Sequence, residues 1–599
     1  MLTFASILKP LDIGIVVVFL LSVIVIGAWA AKRASKSAED FFLSGRSMPW
    51  WLLGVSMVAC TFSCDTPNLV TDIVRSQGVA GNWAWWAYLL TGMTTVFVYA
   101  KLWRRSALNT DLGFYEIRYS GRPASALRGF RAIYLGLFFN IVIMGTVSLA
   151  AIKIGAVIFG FTPVQTLVVS LVAVGIYSTL GGLTGSIWAD FYQYSVAMIG
   201  AVAAAYFSVK LCGANGGGSL AELFANPAVQ AKMHFVPPMS GAEWKSSLMT
   251  ILILPVAVQW WSTWYPGAEP GGGGYIAQRM LSAKNESHAV GATLLFNFLH
   301  YALRSWPWLI VALASIVVIP DMAALKSALP ASAAKYVCND MAYPAMVAKL
   351  PSGWLGLVVA SLVAAYMSTI ATQLNWGSSY LVQDFYVRFV NRNASPRKQV
   401  FVGRMCMVMM MVLTAFVALA LENAKGGFDL MLQVGAGTGL LYLLRWFWKR
   451  LNAWSEISAM IISFAVAVFF QWGSAACGLE AWLTSGWRCE WLTLSAWKLL
   501  LGVVVTTAGW LTVTFLTPRE PEALLNAFQE RVRADASEVP RGLLCMACAC
   551  LAIWSCLFGC GYLIYGIGGV AGGIGKGAVL LVISAVGTFG LMKLVNKKS

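Results

Sequence analysis

The stretch Val359 to Asn375, VASLVAAYMSTIATQLN, is an apolar run of small residues with adjacent hydroxyls at Ser368 and Thr369 and a third at Thr372. Small residues let a neighbouring helix approach closely, and hydroxyls inside hydrocarbon need hydrogen-bond partners. Hydroxyl and carbonyl oxygens are also the ligands that hard cations prefer. The stretch alone leaves two interpretations open: a cation site, or hydroxyls bonded back to the carbonyl one turn earlier.

The composition places this stretch in a lipid bilayer. Of 599 residues, 59% are hydrophobic and 11% are charged, whereas about 25% are charged in an ordinary soluble protein. Many apolar runs reach the roughly 20 residues that a helix needs to cross a bilayer. We therefore predict an all-α polytopic membrane protein with about fifteen transmembrane helices. The predicted spans are residues 11–31, 48–75, 80–103, 127–158, 163–183, 187–212, 244–268, 288–319, 353–384, 399–421, 427–447, 453–473, 496–517, 542–565 and 572–596.

The net charge of +17 does not indicate a nucleic-acid partner, because the basic residues lie in short loops between predicted spans. That distribution is the positive-inside pattern. The loops after the first, third, ninth and eleventh spans are basic, as are the linker 518–541 and the closing Lys597 and Lys598. We expect a multi-pass protein of the plasma or inner cell membrane with its N-terminus outside and its C-terminus in the cytoplasm. Nothing in the sequence calls for an obligatory protein partner.

Several function classes are excluded by what the chain lacks. Three histidines are too few for a haem-bearing bundle, and no GxxxxGK[ST] loop is present to bind a nucleotide. The chain is therefore not expected to be an enzyme. Cys477 and Cys489 share a predicted outer loop, and whether they form a disulfide stays open.

Two predicted spans contain breaks. The second includes ACTFSCDTPN (59–68), and the seventh ends in WWSTWYPGAEPGGGG (260–274). Proline and glycine runs interrupt helices, and irregular backbone at membrane depth is tolerated where it lines a cavity or is buried in protein. Breaks five spans apart indicate two five-helix repeats of inverted topology. The alternatives are a kink at Pro67 and a glycine-rich loop outside the membrane.

Four segments resemble motifs of the sodium:solute symporter family. Residues 177–193, YSTLGGLTGSIWADFYQ, resemble the family signature that joins two core helices. FFLSGRSMPWW (41–51), YIAQRMLSAK (275–284) and the stretch 359–375 continuing to Tyr386 occupy the family's order along the chain. The resemblance extends from residue 41 to about 450. It implies a leucine-transporter-like core, as in the sodium/glucose cotransporters, with sodium and solute bound near the bilayer midplane.

The resemblance also implies a domain organisation. Residues 1–47 would form an extra helix and a cytoplasmic loop, and residues 48–212 the first inverted repeat, core helices 1–5. Residues 213–447 would form the second repeat, core helices 6–10 with two outer loops. Residues 448–599 would be accessory helices.

The family's common sodium site, carried over residue by residue, falls on five oxygen-bearing positions. These are the carbonyls of Ala59, Phe62 and Ala365 and the hydroxyls of Ser368 and Thr369.

Some family members hold a second sodium with an aspartate and hydroxyls one helical turn further along. The corresponding residues here are Asp190 and Thr372, but Ala371 stands where another hydroxyl would help. A structural role for Asp190, paired with an arginine or lysine, is the open alternative.

The solute site implied by the resemblance consists of polar and aromatic residues around the two breaks: Asp65, Thr66, Gln259, Trp261, His300 and Gln433. Trp85 could stack against a sugar ring, although an interfacial aromatic belt also explains it. Arg304 follows His300 by one helical turn, and ionisable groups at membrane depth are functional candidates by default. A structural hydrogen bond remains the alternative for His300.

The expected function is sodium-coupled symport of a small polar organic solute by alternating access, with Na⁺ as the coupling ion. A sugar, polyol or sugar acid is the first choice of solute. An amino acid or carboxylate is the runner-up because Arg304 could meet an anion, and a proton-coupled carrier on the same fold stays open. A transport-like sensor is disfavoured because no output domain is recognised.

Overall fold

The computed structural model describes residues 7–34, 37–241, 243–262, 269–421 and 437–596. Ten helices in these ranges are long and apolar enough to cross a membrane. The predicted all-α membrane fold is confirmed, and the number of fifteen spans stays a prediction.

The principal helices, in chain order, are α1 (Pro10–Ala34), α2 (Trp50–Thr61), α3 (Asp65–Gln77), α4 (89–106), α5 (Gly121–Ile158), α6 (Pro163–Lys210), α7 (Trp244–Ala257), α8 (Gly274–Ser282), α9 (Glu286–Val318), α10 (Trp354–Val390), α11 (Pro396–Ala420), α12 (Gly439–Leu444), α13 (Ala453–Gly473), α14 (Leu494–Leu516), α15 (Ala536–Ile567) and α16 (Gly573–Asn596). Shorter helices are Ala38–Leu43, Trp83–Trp86, Phe114–Arg118, Leu220–Ala225, Pro227–Gln230, Met322–Ala328, Ala342–Val347, Leu479–Leu483, Trp487–Trp491 and Glu522–Val532.

The first predicted break is confirmed between α2 and α3. Phe62, directly after α2, is extended (φ −123°, ψ 145°), and α3 begins at Asp65. Pro67 lies in the first turn of α3, where a missing N–H costs nothing because the first turn has no intrahelical acceptor. Pro67 therefore starts a new helix, and the alternative of a kink within one helix is wrong.

The second break separates α7 from α8. A 3₁₀ turn, Gln259–Trp261, follows α7. Glycines 271–273 directly precede α8. Gly272 has φ +95°, and a Cβ there would lie 3.0 Å from Trp103 Nε1. Trp103 also donates to the carbonyl of Gly271 (2.8 Å). The glycines are thus buried against α4, which favours a broken helix over a loop outside the membrane.

Two predicted spans, 163–183 and 187–212, follow each other within α6, which turns at Gly182. A straight helix of 48 residues would measure about 72 Å, more than twice the hydrocarbon thickness of a bilayer. Gly182 interrupts it with φ 52° and ψ −155°, a conformation that only glycine adopts readily. The chain changes direction there, within the segment that resembles the family signature.

α10, which contains the stretch 359–375, is the best enclosed of the ten long helices. Of its most apolar window 89% is buried, against 6% for α16. The backbone of α10 closely approaches α1, where Asp12 accepts hydrogen bonds from the N–H groups of Gly353 (2.6 Å) and Gly356 (2.9 Å). Its hydroxyls therefore face protein and not lipid.

The basic loops lie on one side of the helices, as predicted. Arg46 donates to the carbonyl of Leu108 (2.8 Å), which links the loops after the first and third predicted spans. Arg388 donates to Glu116 (2.9 Å), which joins the end of α10 to them. We call this side, formed by residues 37–49, 104–120 and 388–395, the basic face.

All twelve cysteines lie in the described ranges, and all are free thiols. Cys477 and Cys489 are exposed and unpaired with each other, so the disulfide left open above is not formed.

Replacing Gly182 by alanine is expected to lower the apparent melting temperature of the purified protein in detergent. The φ of this residue forces a Cβ into a strained region, at a cost of about 1–3 kcal/mol. Gly590→Ala on α16 is the matched control, because a Cβ there meets nothing within 4 Å and alanine favours helix. Equal melting of Gly182→Ala and wild type would contradict the assignment of this turn.

Candidate ion and solute site

A buried cavity lies where the break between α2 and α3 faces α5, α9 and α10. Four of the predicted solute residues line it: Asp65, Thr66, Trp85 and His300. Phe62 and Thr369, predicted as sodium ligands, line the same cavity. The structure therefore brings the two predicted sites next to each other.

The predicted sodium ligands meet where α2 ends against the middle of α10. The last carbonyls of α2 lack a following helical turn to donate to them. The hydroxyl of Thr369 donates to the carbonyl of Phe62 (3.0 Å), with that of Cys60 at 3.5 Å. Ser368 adjoins Thr369, and Ala365 lies one turn earlier on the same face of α10. The contact between the Thr369 hydroxyl and the Phe62 carbonyl thus brings an oxygen of α10 to the end of α2, and oxygens are the ligands that a hard cation prefers.

Ser368 connects this point to a buried ion pair. Its hydroxyl donates to Oδ1 of Asp190 (2.6 Å). Nη2 of Arg279 lies 3.3 Å from Oδ2 of the same aspartate, and both side chains are almost fully buried. Arg279 also donates to Ser56 (2.8 Å) and to Thr372 (2.8 Å). A buried guanidinium therefore occupies the surroundings of both residues predicted for a second sodium.

Asp190 thus forms the pairing with a basic side chain that the sequence left open, and its partner is Arg279. Sequence reasoning did not select this arginine, although it lies within the quoted motif YIAQRMLSAK. The available signal was a single arginine in an otherwise uncharged helix start, next to a glycine run. Its partner lies 89 residues away in the chain, and sequence spacing does not specify such a pairing.

Asp65 and Thr66, at the start of α3, are polar residues that line the cavity. The Ser63 hydroxyl donates to Asp65 Oδ1 (2.6 Å), and the Ser63 N–H donates to the Thr66 hydroxyl (3.1 Å). Asp65 is the first residue of α3, where the helix dipole favours a negative charge. The carboxylate of Asp65 is therefore stabilised by its own helix.

His300 and Arg304 form a pair on the opposite wall, on α9. Arg304 Nη2 lies 3.0 Å from His300 Nε2. The guanidinium also stands 5.1 Å from the ring centroid of Phe62 and 5.3 Å from that of Trp308. Trp85 packs edge-on against His300, with centroids 5.8 Å apart. The predicted residue His300 is thus joined to Arg304, which the sequence indicated only as its helical neighbour.

The remaining predicted solute residues lie elsewhere. Gln259 donates to the carbonyl of Ala84 (3.2 Å) beside the cavity. Trp261 packs against Trp260, with centroids 5.6 Å apart, and does not line the cavity. Gln433 lies outside the described residues.

A buried ion network lies between this cavity and the basic face. Arg131 on α5 pairs with Glu269, at the second break, and lies 3.7 Å from Glu456 of α13. Arg445 lies 3.5 Å from the same glutamate. Sequence reasoning missed the network because these arginines resemble ordinary positive-inside residues. It ties the second broken helix to α5 and α13.

Asp111, in the loop between α4 and α5, extends this network. It accepts hydrogen bonds from Tyr380 and from the N–H of Gly274 (2.9 Å). Burial, reinforced by the charge of Glu269, raises the pKa of Asp111 to about 7. The loop is therefore fixed to the start of α8.

A cavity that carries charged and polar side chains at an interrupted helix is an arrangement found in secondary transporters. The model of the sodium:solute symporter family matches residues 41–463. The chain belongs to this family, and sodium is its co-transported ion.

Curated relatives agree with that assignment, and a solved structure shares the fold. The sodium/glucose cotransporter of Vibrio parahaemolyticus is 25% identical, over 78% of this chain and 86% of the relative. The sodium/mannose cotransporter SLC5A10 of Bos taurus is 27% identical, over 77% and 78%. A substrate-bound, outward-open Na⁺-coupled sialic acid symporter shares the fold, with a TM-score of 0.66 at 20% identity over 86% of this chain and 99% of that one. The protein is a multi-pass membrane transporter.

Replacing Asp190 by asparagine is expected to destabilise the protein strongly. Removing one partner of a buried ion pair costs about 3–5 kcal/mol, because the other charge stays buried. Glu39→Gln is the matched control: Glu39 pairs with Arg46 at 2.7 Å but is 53% exposed, and such pairs contribute about 0–1 kcal/mol. Thermal melting in sodium-free detergent buffer checks this, and similar melting of both variants would contradict the pairing.

Proposed function

We propose that this protein imports a small polar organic solute together with sodium by alternating access. Sodium binds the oxygens of Ala59, Phe62, Ala365, Ser368 and Thr369, and the solute binds in the adjoining cavity. The observation that carries the proposal is the contact of the Thr369 hydroxyl, on α10, with the carbonyl of Phe62, 3.0 Å away in the break after α2.

The ligand chemistry supports sodium at this point. All five groups are oxygens, which a hard cation prefers over nitrogen or sulfur. Ser368 gives its proton to Asp190, so its lone pairs are available to a cation. Thr369 can turn its proton away from Phe62 when a cation arrives, because a hydroxyl rotates freely about its C–O bond.

Sharing of residues between the two sites supports coupling. Phe62 and Thr369 belong to the sodium site and also line the solute cavity. A sodium ion that holds α2 against α10 therefore also fixes the wall of the solute cavity. Binding of sodium then changes the affinity for the solute, and this change is the coupling free energy between the two ligands. A membrane potential of about 100 mV contributes about 2.3 kcal/mol per sodium, enough to concentrate a neutral solute about 50-fold.

One sodium per cycle is the stoichiometry that the charges support. Arg279 already neutralises Asp190 at 3.3 Å and donates to Thr372. Two like charges about 4 Å apart repel by about 4 kcal/mol at an effective dielectric constant of 20. A second sodium beside Asp190 and Thr372 is therefore disfavoured while Arg279 remains in position.

The solute proposed first is a sugar, polyol or sugar acid. Trp85 offers an aromatic surface at the cavity, and Asp65 and Thr66 offer hydrogen-bonding oxygens. Relatives named as sodium/glucose and sodium/mannose cotransporters support this class. Arg304 in the cavity wall favours an amino acid or carboxylate as the second candidate.

The proposed orientation is N-terminus outside and C-terminus inside the cell membrane, so that the basic face lies in the cytoplasm. The repeats 48–212 and 213–447 would then rock around the sites. The network of Arg131, Glu269 and Glu456 would hold the cytoplasmic path closed, and its rupture would accompany release. No further protein is required for this cycle.

Uptake of solute into proteoliposomes is expected to require sodium and to stop when choline replaces it. The double variant Ser368→Ala/Thr369→Ala removes both hydroxyl ligands and is expected to lose sodium-dependent uptake while still inserting into the membrane. Ser379→Ala is the control, because Ser379 lies on the same helix and donates only to the carbonyl of Trp376 (2.7 Å).

Undiminished uptake in choline would show that transport is not coupled to sodium. Uptake driven by a pH gradient in sodium-free buffer would instead identify a proton-coupled carrier.

Thr372→Val tests the one-sodium proposal. It removes an acceptor of Arg279 and is expected to lower stability by about 1–3 kcal/mol without changing the sodium concentration for half-maximal uptake. Thr369→Val is expected to raise that concentration at least about tenfold, the value of one charged contact. A similar rise in the Thr372 variant would indicate a second sodium.

A further inference from the structure

Arg304 is a buried cation that has no acidic partner among the described residues. Its side chain is 1% exposed, and its neighbours are His300 Nε2 at 3.0 Å and the carbonyl of Val58 at 3.5 Å. The aromatic rings of Phe62 and Trp308 cover its faces. Its Nε has no hydrogen-bond partner in the part of the chain that the structure describes.

Three other buried arginines each have a carboxylate partner. Arg131 pairs with Glu269, Arg279 with Asp190, and Arg445 with Glu456. Burial of a charge is tolerated where a partner compensates it. Arg304 differs from these three because no carboxylate lies within ion-pair distance of it among the described residues, although the charge of Asp65 acts on it.

Asp65 lines the same cavity but is already stabilised. It accepts from Ser63 at 2.6 Å and occupies the N-terminal position of α3, whose dipole favours its charge. Asp65 forms no ion pair with Arg304 among the described residues, although its charge acts on the guanidinium. The cavity therefore holds a negative and a positive group separately.

His300 adds a second free donor beside Arg304. Because the guanidinium can only donate, His300 Nε2 accepts from it, and the proton of the neutral imidazole is on Nδ1. Nδ1 has no partner among the described residues. Across the cavity, Oε1 of Gln373 is a buried acceptor that is also unpartnered. The cavity thus offers donors on the α9 wall and acceptors at Asp65 and Gln373.

From this arrangement we infer that the transported solute carries a carboxylate that pairs with Arg304, and donor groups that face Asp65 and Gln373. The inference rests on the proposed function and narrows its solute class. A guanidinium matches the geometry of a carboxylate with paired N–H donors. Two sources share this chemistry: a sugar acid, whose donors are hydroxyls, and an amino acid, whose donor is an ammonium group.

Matched ligand pairs test the inference on the purified full-length protein in sodium. Glucuronate is compared with glucose, gluconate with sorbitol, and alanine with alaninamide, by ligand-induced thermal shift and by competition. At least one carboxylate is expected to bind about 10- to 100-fold more tightly than its uncharged or amide partner, the effect of one hydrogen-bonded charge pair.

Arg304→Gln is expected to reduce that preference to about twofold or less, while stabilisation by sodium persists. Arg304→Lys keeps the positive charge without the planar fork and is expected to keep the preference with weaker binding. This second variant keeps the test open if the glutamine variant does not fold. Arg392→Gln, at an exposed position that donates only to the carbonyl of Arg388 (3.4 Å), is the control.

The two sources differ in the charge that crosses the membrane. With one sodium, a singly negative sugar acid moves no net charge across the membrane. Its rate of uptake is therefore expected not to change when a potassium diffusion potential is applied. A zwitterionic amino acid moves one positive charge, so an inside-negative potential accelerates its uptake. Either result supports the carboxylate.

The inference is overturned if the protein binds or carries only uncharged solutes, or if Arg304→Gln retains the carboxylate preference. Either result can occur while sodium still stabilises the wild type, which leaves the proposed function intact. Loss of sodium dependence for every solute would instead contradict the proposed function itself.

Discussion

The interaction on which the site depends is between the open end of α2 and the hydroxyls of α10. A helix that ends within the membrane leaves carbonyls without donors, and lipid cannot supply them. Thr369 meets the carbonyl of Phe62, and Arg304 approaches that of Val58. The interruption in one helix therefore dictates which polar groups its neighbours must carry.

Two buried arginines give the site its electrostatic character. Arg279 is enclosed with Asp190, Ser56 and Thr372. Its guanidinium is the positive charge that balances the carboxylate of Asp190. Arg304 lines the cavity, where a neutral histidine, the carbonyl of Val58 and two aromatic rings contact it. In the function proposed above, Arg279 would limit how many sodium ions the protein holds, and Arg304 would limit which solutes it accepts.

Composition and local pattern were sufficient to predict the membrane fold and both breaks, because span length and proline or glycine position are local properties. The hydroxyls of α10 are also a local pattern, but the resemblance to the family supplied their role and the predicted residues that line the cavity. Arg279 and the Arg131–Glu269 pair were missed because their partners are distant in the chain, and Trp261 was expected at a cavity that it does not line. The two spans predicted within α6 agree with the turn at Gly182, because 48 residues are too many for one straight crossing of a bilayer.

The most direct test of a single sodium shared by α2 and α10 is equilibrium binding of radiolabelled sodium to the purified protein. One sodium per chain is expected for the wild type, with binding lost in Ser368→Ala/Thr369→Ala. Two sodium ions per chain, or unchanged binding in that variant, would contradict the site described for the end of α2.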